Sequence, residues 1–209
     1  MNIVYDLTHA LFFVLFKFLF RYKVVGRENV PKEGPVILAS NHASYLDPPF
    51  IGTGLWRRVN FVAKEELFNR PWKRFILTRW KAIPVRRERL DKGTLKAILD
   101  RLKAGEVVGL FPEGTRSPDG DLLPGKSGIG MIVAMAGAPV VPVYIRGSLR
   151  TLSKQEKRLK FVPITVTYGA PVEFAGLEGE AGHDRYRRIA DDIMARIEGL
   201  RQVLPGKSL

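Results

Sequence analysis

Short apolar runs that alternate with helical patterns constrain the fold of this chain more than any other feature. The runs have the length and the β-branched composition of strands buried on both faces. They span residues 36–39, 59–63, 82–85, 107–111, 140–145 and 164–168. Helical patterns occupy residues 48–55, 72–79, 93–104, 129–136 and 186–200. This alternation predicts a single α/β domain with a largely parallel central sheet flanked by helices.

The first of these runs leads into a histidine, and ligands of parallel sheets bind at the carboxyl ends of the strands. Asp47 follows His42 by five residues, a spacing of about 140° on a helix, so the two side chains cannot share a helical face. The dipeptide Asp47-Pro48 is typical of a helix start, with Asp47 as the N-cap. We therefore predict that His42 lies on a loop that folds back on Asp47.

A paired imidazole and carboxylate suit general-base chemistry. The carboxylate accepts one imidazole N–H, which fixes the tautomer and leaves the other ring nitrogen free to take a proton from a hydroxyl. The pair alone leaves a second interpretation open, in which Asp47 is only a helix cap and His42 only a loop residue.

A second polar loop follows the run at residues 107–111. It begins at Pro112 and carries Glu113, Gly114 and Arg116. Glycine permits close approach of the backbone to a ligand, and arginine offers a planar fork of donors that suits a phosphate. The alternative is a turn in which Arg116 pairs with Glu113.

These motifs resemble those of the glycerolipid acyltransferase family. The sequence "NHASYLD" at residues 41–47 matches the N-H-x-x-x-x-D motif, and "FPEGTRS" at 111–117 matches the third motif in full. "KAIPVRR" at 81–87 is similar to the second motif, although Lys81 stands where the family has glycine, and "VVPVYI" at 140–145 is similar to the fourth.

The resemblance implies transfer of a fatty acyl group from an acyl thioester of acyl-carrier protein or coenzyme A. The acceptor would be the free hydroxyl of 1-acylglycerol 3-phosphate (lysophosphatidic acid), and the product phosphatidic acid. His42 would be the general base, oriented by Asp47. Glycerol 3-phosphate or an amino-acid lysolipid stays open as the acceptor, and we expect no cofactor and no metal.

The resemblance also implies a site for the acceptor's phosphate beside His42. The residues that would hold it are Arg87, Glu113, Gly114 and Arg116, with Lys126 as a further contact.

The positive charge of the chain predicts an anionic partner. The 34 Lys and Arg against 21 Asp and Glu give a net charge of +13. Residues 70–103 hold twelve of the basic and three of the acidic residues, or +9, and this segment would bind anionic lipid headgroups or the acyl donor. No nucleic-acid-binding motif is evident, and we expect no such partner. A non-catalytic protein that binds anionic membranes is the alternative of a different class.

The N-terminal segment is apolar from residue 10 to residue 20 except for Lys17. That is about half of the ~20 residues that a spanning helix needs. We predict that residues 1–24 form a helix in the membrane interface and that residues 25–209 form the acyltransferase domain. A terminal helix packed on the core is the alternative. The expected location is the cytoplasmic face of the inner membrane, as a monotopic or peripheral protein.

Two chemistries are disfavoured by the sequence. Without cysteine the chain has no thiolate nucleophile, and this composition suits a reducing compartment. The sequence "GDLLPGKS" at residues 120–127 satisfies the phosphate-binding pattern of nucleotide hydrolases, but such a loop must leave a buried strand directly. Here the preceding apolar run ends at residue 111.

Overall fold

The computed structural model describes residues 3–85, 91–153, 158–174 and 182–203, with Ile3, Val4 and Val203 described by their backbone alone. The strands are β1 (Lys23–Val25), β2 (Val36–Ser40), β3 (Val59–Lys64), β4 (Ile83–Val85), β5 (Val107–Leu110), β6 (Val140–Arg146) and β7 (Thr165–Tyr168). The α-helices are α1 (Ile3–Leu19), α2 (Asp47–Thr53), α3 (Pro71–Arg79), α4 (Lys92–Lys103), α5 (Ser127–Ala136) and α6 (Gly182–Val203).

The strands form one mostly parallel sheet in the order β1-β7-β6-β2-β5-β3-β4. Strand β2 lies at its centre and pairs in parallel with β5 on one side and β6 on the other. Only the β6–β7 pairing is antiparallel within the described sheet. The predicted α/β class is therefore confirmed. The sequence prediction missed β1, a three-residue edge strand that is partly exposed and too short for a periodic signal.

Both faces of the sheet are covered, and β2 shows how. Its five residues are all buried, because alternate side chains of a strand point to opposite faces. Val36 and Leu38 pack with residues of α1 and α2. Ile37 and Ala39 pack with residues of α4, α5 and α6 on the other face. A continuous apolar run is thus the expected sequence for this strand.

Helix α1 presents apolar residues both to the protein and to the surroundings. Tyr5 and Phe16 are buried, and Phe12 and Phe13 pack against the core. The helix also carries large apolar residues that are exposed: Leu7, Leu11, Val14, Leu15, Phe18 and Leu19. In the part of the chain that the structure describes, no helix combines the length and the apolar character needed to span a bilayer.

Lys81 adopts a backbone conformation that favours glycine, with φ at 54°. This is the position at which the similar family motif has glycine. The side chain forms an ion pair with Glu106, just before β5. The left-handed conformation costs a non-glycine residue roughly 1–2 kcal/mol, and the ion pair offsets part of that cost.

We predict that Lys81→Gly is more stable to urea than Lys81→Ala, by about 1 kcal/mol. Both variants lose the ion pair with Glu106, so their difference reports the backbone strain of alanine less the greater entropy that glycine loses on folding. Equilibrium unfolding of the two variants checks this, and an alanine variant as stable as the glycine variant would contradict it.

Candidate active site

The loops that leave β2 and β5 lie side by side at one edge of the sheet. Ala39 is in register with Leu110, and both strands end within one residue of this pair. His42 follows β2, and the segment from Phe111 to Ser117 follows β5. The parallel pairing therefore brings the two sequence motifs together.

His42 folds back on Asp47, as the spacing predicted. The imidazole Nδ1 lies 2.8 Å from the Asp47 Oδ2. Asp47 is fully buried, whereas the His42 side chain is 17% exposed. With its proton on Nδ1 donated to the carboxylate, the ring carries its free lone pair on Nε2, which is the arrangement of a general base.

The prediction that Asp47 is the N-cap of its helix is wrong. Helix α2 begins at Asp47 itself, and Leu46 occupies the cap position without a side-chain hydrogen bond. The carboxylate is directed back to the preceding loop, where Oδ2 accepts hydrogen bonds from the backbone N–H groups of Ala43 and Ser44, each at 2.7 Å. The same oxygen thus shapes the loop and contacts the imidazole.

The loop after β5 holds His42 from the other side. The His42 backbone N–H donates to Oε1 of Glu113 at 2.9 Å, and its carbonyl accepts from the Ser117 N–H at 2.7 Å. The imidazole also stacks on the ring of Phe111, with the centroids 3.9 Å apart. One loop therefore contacts the backbone and the ring of the same residue.

The Phe111 ring is supported from below by Phe61 of β3, at a centroid distance of 6.0 Å. Phe61 occupies the space above Gly109, where a Cβ atom would lie 2.2 Å from the ring. Glycine in β5 therefore makes room for the aromatic pair under the histidine. No sequence pattern indicated a role for Phe61 or Gly109, and Phe111 was recognisable only as the first residue of the FPEGTRS motif.

Asn41 is a second residue whose role the sequence analysis missed. Its side-chain amide donates to the carbonyl of Ile145 and accepts from the N–H of the same residue, at 3.1 and 2.8 Å. The amide thereby imitates a further β2 residue in the ladder to β6. Two signals pointed to it, its position directly after an apolar run and its place as the first residue of the NHASYLD motif.

Glu113 is buried, with 2% of its surface exposed. Its second carboxylate oxygen, Oε2, accepts from the Leu123 N–H at 3.3 Å. Burial raises the pKa of this carboxyl from its ordinary value of 4.5 to about 7, and the Asp47 carboxylate adds to the rise, while the two backbone N–H groups oppose it. The alternative of a simple Glu113–Arg116 turn does not describe this carboxylate, whose two oxygens face backbone N–H groups.

Among the remaining residues predicted to hold the phosphate, Lys126 lies over Gly114. This glycine has φ at 64°, and a Cβ atom there would lie 2.9 Å from Nζ of Lys126. The Arg116 guanidinium stacks on the exposed ring of Tyr45, 3.5 Å from its centre. The third cation of the prediction, Arg87, lies outside the described residues.

Comparison with known proteins links this geometry to one family. The family model described as "Acyltransferase" matches residues 21–146, more than half of the chain. The chain is 30% identical over 183 residues to the 1-acyl-sn-glycerol-3-phosphate acyltransferase of Bacillus subtilis strain 168, covering 87% of this chain and 89% of that protein. It is 34% identical over 132 residues to a chloroplastic enzyme of the same name from Brassica napus, covering 62% of this chain and 38% of that longer protein.

A solved structure shares the fold. The crystal structure of the 1-acyl-sn-glycerophosphate (LPA) acyltransferase PlsC from Thermotoga maritima matches with a TM-score of 0.74 and 26% sequence identity. The match covers 99% of this chain and all of that one.

The raised pKa of Glu113 predicts a pH dependence of stability. Between about pH 4.5 and about pH 7 the folded protein retains a proton on Glu113 that the unfolded chain has released. The contribution of this group to the free energy of unfolding is therefore full below pH 4.5 and is lost as the pH rises through 7.

We accordingly expect the free energy of unfolding of the wild type to fall, relative to that of Glu113→Gln, between about pH 5 and about pH 8. Urea unfolding of both proteins across this interval measures the difference. Parallel curves would show that Glu113 titrates alike in the folded and unfolded states.

Proposed function

This chain belongs to the acyltransferase family and transfers acyl groups, and from that premise we propose that His42 is the general base of the reaction. The acyl group passes from an acyl thioester to the free hydroxyl of 1-acylglycerol 3-phosphate, and the product is phosphatidic acid. The observation that carries this proposal is the 2.8 Å contact between the His42 Nδ1 and the buried Asp47.

The proposed step is direct transfer between two bound substrates. The His42 Nε2 takes the proton of the glycerol hydroxyl, whose oxygen forms a bond to the thioester carbonyl carbon. The carbon–sulfur bond then breaks, and the proton passes from the imidazolium to the departing thiolate. Asp47 stabilises the imidazolium that forms in between, because its negative charge lies against Nδ1.

The phosphate of the acceptor would bind beside Gly114. Arg116 offers the planar donors suited to a phosphate. Its contact with the ring of Tyr45 restricts the orientation of the guanidinium. Lys126 brings a second positive charge over Gly114. Arg87 joins them on the strength of the family resemblance alone.

The acyl donor would be an acyl-carrier protein or coenzyme A, both of which are anionic. Helix α3 supports an anionic partner, since it carries Lys73, Arg74 and Arg79 and buries none of its residues. A groove of about 550 Å³ runs along this helix, lined by Phe68, Phe75 and both arginines among others. Aromatic and cationic side chains are thus presented together.

The exposed side of α1 supports attachment to a membrane. Its apolar face continues at the end of the helix into a groove of about 340 Å³, lined by Phe18, Leu19, Arg21 and Phe161 among others. Exposed aliphatic and aromatic side chains beside cations are typical of segments that lie in the interface of an anionic bilayer. The protein would therefore be monotopic or peripheral, on the cytoplasmic face of the inner membrane.

We expect His42→Ala to lower kcat for acyl transfer by about 10²- to 10⁴-fold, which is the usual contribution of a positioned base. Asp47→Asn should lower it as well, because a neutral amide cannot stabilise the imidazolium. Turnover with lysophosphatidic acid, measured by product mass with carrier-protein and coenzyme A thioesters, tests this. Parallel reactions with glycerol 3-phosphate and an amino-acid lysolipid identify the acceptor.

The matched control for this experiment is His183→Ala, which removes an exposed histidine of α6. This variant should retain full activity. A wild type that binds anionic vesicles but transfers no acyl group to any of the acceptors would favour the non-catalytic alternative.

We expect Phe18→Glu to weaken binding to vesicles that contain anionic lipid by roughly tenfold or more, because an inserted phenylalanine contributes about 1.5–3 kcal/mol. Met135→Glu is the control, since Met135 is similarly apolar and exposed but belongs to α5, whose buried residues pack on the other face of the sheet. Co-sedimentation measures both. Equal binding by the two variants would exclude α1 as the contact.

A further inference from the structure

We infer that Glu113 is a positioning residue that holds the backbone of His42, and that it does not contact the acceptor. This inference rests on the proposed function, because it assigns a role within that reaction. It differs from the role that the family resemblance implied, in which Glu113 helps to hold the phosphate.

The surroundings of Glu113 argue against contact with a phosphate. The side chain is 2% exposed, and its two oxygens accept from the backbone N–H groups of His42 and Leu123. A carboxylate would also repel a phosphate, unless a cation lay between them. The cations of this site, Arg116 and Lys126, lie instead against Tyr45 and over Gly114.

Glu113 is bonded to the backbone N–H of His42, the residue whose Nε2 would take the proton. Asp47 controls the imidazole through Nδ1, but it does not determine where the backbone of His42 lies relative to the loop after β5. That relation is set by the Glu113 carboxylate and by the Ser117 N–H, which contact the two polar backbone groups of the same residue. Small displacements of a base from its substrate can cost up to about 10²-fold in rate.

The two N–H groups also explain why this position needs a side chain with two acceptor oxygens. Each of the two donors requires an acceptor oxygen, and glutamate provides two in one plane. Glutamine provides one oxygen and places an NH₂ group against the other donor. The Glu113→Gln side chain would therefore lose either the bond to His42 or the bond to Leu123, although its size is unchanged.

The experiment is a kinetic comparison of the wild type and Glu113→Gln with lysophosphatidic acid as the varied substrate. We expect kcat to fall by about tenfold or more, while KM for lysophosphatidic acid changes by less than about twofold. A KM that rises more than kcat falls would overturn the inference, because it would show that Glu113 binds the acceptor. Glu113→Ala, which offers no oxygen to either N–H group, is measured in parallel, and an unchanged kcat in both variants would overturn the inference equally.

The matched control is Glu106→Gln, which neutralises a carboxylate next to the opposite end of β5. Glu106 pairs with Lys81 and Arg101. Its replacement by glutamine should leave kcat unchanged. Arg116→Lys provides the opposite pattern, a raised KM, since lysine cannot present two parallel donors to a phosphate.

Circular dichroism verifies that Glu113→Gln is folded. If it is not, Glu113→Asp replaces it, because the shorter carboxylate keeps the charge but falls about 1.5 Å short of the His42 N–H. The same fall in kcat at constant KM is expected, and a constant kcat would refute the inference. A wild type without acyl transfer to any acceptor would instead reject the proposed function, so the two failures are distinguishable.

Discussion

The parallel pairing of β2 with β5 is the constraint on which the rest of the site depends. Its register places Leu38 opposite Gly109 and Ala39 opposite Leu110, so that the two strands end at the same edge of the sheet. The two loops therefore begin side by side. The loop after β2 contains His42, and the loop after β5 can bind the backbone of that residue. Gly109 has no side chain, which leaves room for the ring of Phe61. Phe61 packs against Phe111, and Phe111 supports the imidazole.

Two buried carboxylates connect these loops. Burying a carboxylate is costly unless it accepts hydrogen bonds, and each of the two acids accepts from N–H groups, Glu113 through both of its oxygens and Asp47 through Oδ2 alone. Asp47 accepts from the His42 ring and from two backbone groups, and Glu113 accepts from the backbone of His42 and Leu123. The loops are therefore held by directional bonds, which define the position of His42 more narrowly than an apolar contact would.

Most of the fold was predictable because the central strands and the covering helices differ in periodicity. The buried strands appear as continuous apolar runs, and helix α4 keeps the spacing of a one-sided helix. The edge strand β1 was not predictable, since three partly exposed residues carry no period. The N-terminal segment was ambiguous for another reason, because a protein core and a lipid interior both exclude charge. In the structure α1 packs one side on the core and leaves apolar residues exposed on the other.

By itself the sequence determined the α/β class, the loop position of His42, and its return to Asp47, since these follow from local patterns and from a spacing of five residues. Only the tertiary structure decided what surrounds that pair. Leu123 and Ser117 reach Glu113 and His42 through bonds that local spacing does not encode, and the buried state of Glu113 depends on all of these segments together. A glutamate in a polar loop of a sequence is predicted to bind a ligand. When the folded chain encloses the same side chain with N–H donors, it instead holds the loops in place. Burial makes that difference, and burial is a property of the folded chain.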